Sequence, residues 1–196
     1  MENTPTLWTD RLILRRFCKE DAAALFELLR DEQVNRFLPW FPLQSLKEAE
    51  THLQSAYLDS YQSPRGYRYA VCLRQDNLPV GYVYVSDEES FDLGYGLRKE
   101  FWRQGIMTEA AKAVVERMKK DGVPYVTATH DVQNPASGAV MKNLGMTYRY
   151  SYEEFWKPKN IQVVFRLYQM QLDGGPDVTY QKYWDRSSNH FFEKGL

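Results

Sequence analysis

A chain of 196 residues with 43% hydrophobic and 26% charged side chains has the balance of an ordinary globular protein, long enough to bury a proper core as one domain with an appendage. Its formal net charge of −1 gives no broad field toward nucleic acid or an anionic membrane. No apolar run nears the roughly 18 residues of a membrane span, and no basic-then-apolar leader opens the chain, so a cytoplasmic location is expected.

Residues 7–17, LWTDRLILRRF, alternate Leu12 and Leu14 with Arg11 and Arg15 and predict a first strand. EDAAALFELLR (20–30) sets Ala22, Leu25, Phe26 and Leu29 on one helical face behind an acidic first turn. FLPWFPLQ (37–44) is a Pro-broken aromatic loop, after which Ser45 and Glu48 form a capping box that opens a helix over 46–62. GYRYAVCLR (66–74), PVGYVYVS (79–86) and FDLGYGL (91–97) are strand-like runs joined by short polar turns, and so read as consecutive antiparallel strands. A helix over 108–120, stopped by Asp121-Gly122, precedes the strand YVTATHD (125–131). NPASGAVMKNLGM (134–146) gives a loop and short helix, and two last strands flank Pro158-Lys159-Asn160.

Strands on both sides of helices, some antiparallel and two joined by a crossover helix, make this an α+β (mixed α/β) fold. The domain is expected over 1–172. DGGPD (173–177) begins a tail, 173–196, in which Tyr180, Tyr183, Trp184 and Phe191 follow a roughly helical spacing. So short an amphipathic helix must dock, on its own domain or on the second subunit of a homodimer. Cys18 and Cys72 are distant and lack metal-ligand spacing; they read as free thiols, and no metal is expected.

Gly105, in FWRQGIMTEAAKAVVERM (101–118), stands where a strand-like segment gives way to a helix. It is either a plain tight turn or a loop whose amides approach a phosphate at a helix N-terminus. Neither G-x-x-x-x-G-K-[ST] nor G-x-G-x-x-G is present, so the P-loop and dinucleotide fingerprints are excluded. What remains is RQGIMTEA, in which a pyrophosphate would lie on the amides of residues 104–108 with Arg103 close by.

Four stretches in order, TDRLILRRF (9–17), PVGYVYV (79–85), DLGYGLRKEFWRQGIMTEAAKAVV (92–115) and NPASGAVMKNLGM (134–146), resemble the GNAT superfamily of acyl-CoA-dependent N-acyltransferases, in its RimJ/RimL-type branch. The resemblance covers roughly residues 7–172 and leaves the tail outside. It implies a mixed sheet of six or seven strands flanked by about four helices, with two central parallel strands, FDLGYGL and YVTATHD, splayed to admit a pantetheine arm. It further implies acetyl-CoA as cosubstrate. The backbone around Leu97 and Arg98 would pair with the pantetheine, the amides of Gln104, Gly105, Ile106, Met107 and Thr108 with Arg103 would hold the pyrophosphate, and Asn134 would bond to the pantetheine side. Two positions depart from the superfamily loop pattern: Trp102, which looks like this branch, and Met107, bulkier than the usual Gly or Ala.

Transfer to an amine needs a neutral nucleophile, a polarised carbonyl and a stabilised leaving thiolate. By the resemblance, Ser137 is the candidate acid near the sulfur, though a serine there would equally serve as a helix N-cap. Glu154 is the candidate base, with Asp92 next; Glu153 would face away on a regular strand. His130 is a possible relay, Glu109 reads as a first-turn helix acid, and His52 and His190 have no motif. An α-amine titrates near 7.7–8.0 and a lysine near 10.4, so a site without a strong base suits the α-amine. The expected activity is therefore N-acetyl transfer to a protein N-terminus by direct attack in a ternary complex. Small-molecule amine acetylation and a catalytically quiet acyl-CoA-binding module stand as alternatives.

Overall fold

The computed structural model describes residues 2–196. The chain begins with β1 (Leu7–Trp8) and β2 (Leu12–Arg15), an antiparallel hairpin where the sequence predicts one continuous strand. The break is held by side chains: Thr9 Oγ1 (2.6 Å) and the Arg11 guanidinium (2.7 Å) both donate to the Glu109 carboxylate. Two helices follow, α1 (Ala22–Leu29) and α2 (Glu32–Asn35), and then α3 (Leu46–Leu53), which runs on through irregular turns to Gln62. Ser45 caps α3 by accepting from the Glu48 amide at 3.2 Å, and Glu48 returns a bond to the Gln44 amide.

Strands β3 (Tyr67–Leu73), β4 (Pro79–Val85) and β5 (Leu93–Leu97) complete an antiparallel sheet ordered β1-β2-β3-β4-β5. The crossover helix α4 (Ile106–Lys120) starts two residues earlier than its sequence pattern indicates. It leads to β6 (Tyr125–Asp131), α5 (Pro135–Asn143), β7 (Thr147–Trp156) and β8 (Ile161–Gln171). The second sheet is ordered β6-β8-β7-β9, with β9 (His190–Phe191) supplied by the tail.

The two sheets touch at one parallel bridge, Asp92 opposite Thr127, where the Thr127 amide donates to Phe91 O at 3.3 Å. Beyond that point β5 and β6 diverge without pairing. This splay divides the expected single mixed sheet of six or seven strands into a five-stranded and a four-stranded part. Helix α4 packs beneath the junction, burying Ile106, Met107, Ala110, Ala111, Val114, Val115 and Met118. Each larger side chain among them contributes about 1.5–3 kcal/mol of transfer free energy. A second core lies under α1 and α3, and a third joins β7 and β8 to the tail.

The tail is not the amphipathic helix that its aromatic spacing suggests. Only α6 (Lys182–Arg186) is helical, and the chain then turns at Ser187 to lay β9 along β7. Side-chain demands override the helical period: fully buried Gln169 bonds the Tyr180 amide (2.9 Å) and the Val178 carbonyl (2.6 Å), while Glu193 pairs with Arg166 and Ser151. Both cysteines are free, Cys72 buried and Cys18 exposed. Among the described residues no helix is long and apolar enough to cross a membrane.

Candidate active site

A cavity of about 580 Å³ opens where β5 and β6 part. β4 contributes Tyr82 and Tyr84; Asp92, just before β5, and Tyr95, within it, line the next wall; β6 contributes His130, and α5 contributes Ser137 and its N-cap Asn134. β7 adds Tyr152, Glu154 and Trp156, the loop after α2 adds Phe37 and Trp40, and the tail adds Tyr183 and Arg186.

On one side of the splay, antiparallel alternation decides which backbone groups of β5 remain free. The Arg98 amide donates to Val80 O at 2.9 Å, so residues 94, 96 and 98 bond toward β4. The amides and carbonyls of Tyr95 and Leu97 therefore face the open side. The Arg98 amide, one of the expected pantetheine contacts, is already taken by the sheet, and Tyr95 is the free position that the sequence left out. The Leu97 carbonyl also accepts from the Trp102 indole at 2.7 Å, which fixes the turn after β5.

The loop before α4 contains two left-handed residues, Arg103 (φ 60°) and Gly105 (φ 72°). Such a backbone suits glycine and strains arginine. Gly105 is the N-cap, its carbonyl taking the Glu109 amide at 3.0 Å, which leaves the amides of Ile106, Met107 and Thr108 without helical partners. Ile106 and Met107 bury their side chains in the core, at 3% and 6% exposure, and so offer only backbone to the outer surface. The bulk of Met107 is thus turned away from the loop's outer face. Arg103 and Gln104 are exposed, and the Gln104 carbonyl is held by Arg11 at 2.9 Å. Glu109, bound by Thr9 and Arg11, is a structural anchor.

Across the cavity, Asn134 caps α5 by accepting from the Ser137 amide at 3.3 Å. The N-cap is therefore Asn134, and the Ser137 side chain is free for other work. Its Oγ lies 3.0 Å from the Tyr95 hydroxyl, which also donates to the Ser137 carbonyl at 2.8 Å.

Asp92, at the bridge, accepts from Thr127 Oγ1 at 3.2 Å. Burial, reinforced by the charge of Glu154, pushes its carboxyl up to about 6 against the opposing bond from Thr127. Glu154 is also raised by desolvation and shares the cavity face with Tyr152 and Trp156. The Glu153 carboxylate goes to the other face, bound by Asn189 (2.5 Å) and Gln162 (3.3 Å). His130 is 4% exposed; its Nδ1 meets Asp131 O at 2.8 Å, and desolvation lowers its pKa, keeping it neutral. Its ring occupies the place of a Gly138 side chain, 2.7 Å from where a Cβ would stand. His52 packs between Trp40 and Tyr57, and His190 stacks on Trp184. No cluster of three metal-ligating side chains occurs among the described residues.

The outer wall is fastened at two points. Asp31 caps α2 through the Gln33 and Val34 amides and pairs with Lys99 at 2.9 Å. At the other end of α2, Lys159 from the β7–β8 turn donates to the carbonyls of Asn35 (2.8 Å) and Arg36 (3.3 Å).

Sequence reasoning missed Arg11, Tyr95 and the tail residues Tyr183 and Arg186. Arg11 and Tyr95 lie inside recognised stretches, but their partners, 93 and 42 residues away, appear only in the fold. Nothing in the tail's spacing signals that it walls the cavity.

The family model described as an acetyltransferase (GNAT) domain matches residues 11–147. Among curated proteins, the uncharacterized N-acetyltransferase YoaA of Bacillus subtilis (strain 168) is 27% identical over 146 residues, 72% of this chain and 82% of its own. YnaD of the same strain is 25% identical over 144 residues, covering 70% and 80%. Among solved structures, RimL, a ribosomal L7/L12 α-N-protein acetyltransferase in complex with coenzyme A, superposes with a TM-score of 0.76 at 21% identity, over 87% of this chain and all of its own. The microcin C7 self-immunity acetyltransferase MccE, with acetyl-CoA and AMP, gives 0.72 at 17% identity over 83% and 93%. At such identities the structural likeness is one of fold.

Proposed function

The chain belongs to the GNAT acetyltransferase family, and from that membership we propose that it acetylates the α-amine of a protein N-terminus. GNAT enzymes are N-acetyltransferases that use acetyl-CoA, and the solved relatives hold coenzyme A or acetyl-CoA. The residues here suit that cosubstrate. The open edge of β5 offers the Tyr95 amide and carbonyl and the Leu97 amide to a pantetheine arm. The free amides of α4, with Arg103 beside them, suit a pyrophosphate. Asn134 and Ser137 stand at the far side of the splay.

Acetyl-CoA supplies the activated thioester. Asp92 receives the proton that the amine must lose, Glu154 holds a second negative charge at the acceptor end, and Ser137 meets the leaving sulfur. The observation that carries the α-amine reading is the placement of Asp92 at the point where the sheets part, lining the cavity and held by Thr127, where burial raises its carboxyl to about 6. A base in that range is matched to an amine near 7.7–8.0, whereas a lysine near 10.4 would have to be shifted by about 3 pH units more. RimL, by its description an α-N-protein acetyltransferase, supports the same class.

A second reading, a small polycationic amine, is favoured by Asp92, Asp131 and Glu154, three acidic residues that line one cavity in which Arg186 is the cationic lining residue. The test is free-thiol release from acetyl-CoA against N-terminal peptides and small amines. Turnover on peptides, reduced by about 10²-fold or more in Ser137→Ala, supports the first reading. Turnover confined to small polyamines or aminoglycosides replaces it with the second.

A further inference from the structure

The hydroxyl of Tyr95 reaches two oxygens of a single residue, the Ser137 carbonyl at 2.8 Å and Ser137 Oγ at 3.0 Å. A phenol has one hydrogen to give. When it goes to the carbonyl, the contact with Oγ must run in reverse, with the serine hydrogen pointing at Tyr95 and away from the cavity. When it goes to Oγ, the serine hydrogen is free to turn toward the cavity. The geometry points to Tyr95 as a positioning residue that switches Ser137 between these two hydrogen-bonded states and arms it as the thioester opens.

The inference rests on the reading of Ser137 as the group that meets the leaving sulfur. Its backbone is held in either state, because the Ser137 amide is fixed by Asn134. Only two hydrogens move. Burial holds the Tyr95 phenol far above its ordinary range, so it remains a donor throughout. A coenzyme thiol resembles cysteine, near 8.5, and is a far stronger acid than either hydroxyl. Neither hydroxyl therefore surrenders its proton.

The amine nitrogen bonds to the thioester carbonyl carbon, and its proton passes to the Asp92 carboxylate. The carbon–sulfur bond breaks with its electron pair on sulfur. Ser137 Oγ–H donates to that sulfur while Tyr95 O–H swings from the carbonyl to Oγ, polarising the serine hydroxyl as the charge appears. The sulfur then takes, relayed through water, the proton that Asp92 received, which restores the carboxylate and leaves free thiol.

The test is a double-mutant cycle of Tyr95→Phe and Ser137→Ala, with steady-state kinetics in both substrates. Tyr95→Phe should lower kcat about tenfold and leave the KM for acetyl-CoA within about twofold, since the hydrogen bond gained only in the transition state is lost. In the Ser137→Ala background the same change should cost nothing further. Coenzyme A affinity by calorimetry and the thermal midpoint should stay near wild type in Tyr95→Phe, which separates positioning from structural damage. Tyr95→Met, which also lacks the hydroxyl, serves if the Phe variant folds poorly. Losses that multiply, a loss appearing in the KM for acetyl-CoA, or an unchanged kcat in Tyr95→Phe beside an impaired Ser137→Ala would each overturn the switch while leaving Ser137 in its role. Full activity in Ser137→Ala would remove that role and the switch together.

Discussion

Asp92→Asn should make the protein more stable and nearly inactive. The carboxyl titrates near 3.8 in an ordinary setting and near 6 at the sheet junction, so folding works against its ionised form. At about 1.4 kcal/mol per pH unit, that gap is about 3 kcal/mol of destabilisation above pH 6. Cavity water trims it to about 2. The sign follows from the raised pKa: stability due to this group is present below pH 3.8 and is lost as pH rises through about 6. An amide of the same shape can still accept from Thr127 and carries no charge. At pH 7.5 the variant should therefore melt about 4–8 °C higher, at roughly 2–4 °C per kcal/mol for a chain of this size. At pH 4 the two proteins should melt within about 1–2 °C of each other, because the wild-type carboxyl is then largely protonated. Scanning calorimetry at both pH values measures this, and kcat/KM against pH measures the other half: the wild-type acidic limb near 6 should vanish along with at least about 10²-fold of the rate. A variant less stable at pH 7.5, or an acidic limb that survives the substitution, would refute the assignment of Asp92 as a buried base.

Gly105→Ala places a side chain at φ 72°, where its Cβ meets only Arg11 Nη2 at 3.6 Å. Backbone strain of about 1–2 kcal/mol is the cost, read as a lower thermal midpoint and a several-fold weaker acetyl-CoA KM; an unchanged KM would separate the loop from the cosubstrate. Gln169→Leu strands the Tyr180 amide and the Val178 carbonyl, at about 1–3 kcal/mol, and should make the chain beyond residue 173 the first site of limited proteolysis. Glu109→Gln loosens the β1–β2 turn by about 1 kcal/mol at neutral pH. Burial raises the Glu109 carboxyl, but the bonds from Thr9 and Arg11 outweigh it and leave the pKa below 4.5; the wild-type advantage should thus fade only as pH falls below that value, as melting curves would show.

Periodic signals in the sequence carried most of the architecture. The capping box at Ser45, the glycine at 105 and the three consecutive strands from Tyr67 to Leu97 are local features, each decided by residues a few positions apart. The failures were all non-local. One predicted strand became the β1–β2 hairpin because Glu109, about a hundred residues on, holds its turn. Helical spacing in the tail lost to Gln169 and Arg166, which bind its backbone and Glu193. The helix N-terminus proposed to hold the cosubstrate could be singled out because its free amides belong to one short segment. The pairing of Tyr95 with Ser137, and the raised pKa of Asp92, arise from strands and helices meeting across the splay, where no spacing in the chain reports them.

The two ends of the cavity differ in how firmly they are built, and this bears on what the enzyme tolerates. The cosubstrate loop sits on α4, whose buried face is part of the main core, so displacing it means disturbing packed side chains. The proposed acceptor wall also packs on the second core, but its outer rim is fastened by Asp31–Lys99, an ion pair with the lysine half exposed, and by Lys159 at two carbonyls. Contacts of that kind are worth about 1 kcal/mol each, so the polar fastening of the wall is weaker than the apolar packing that holds the loop. A donor side seated in the main core and an acceptor side fastened at its rim by polar contacts would let one chemical step stay constant while surface substitutions retune which amines are admitted.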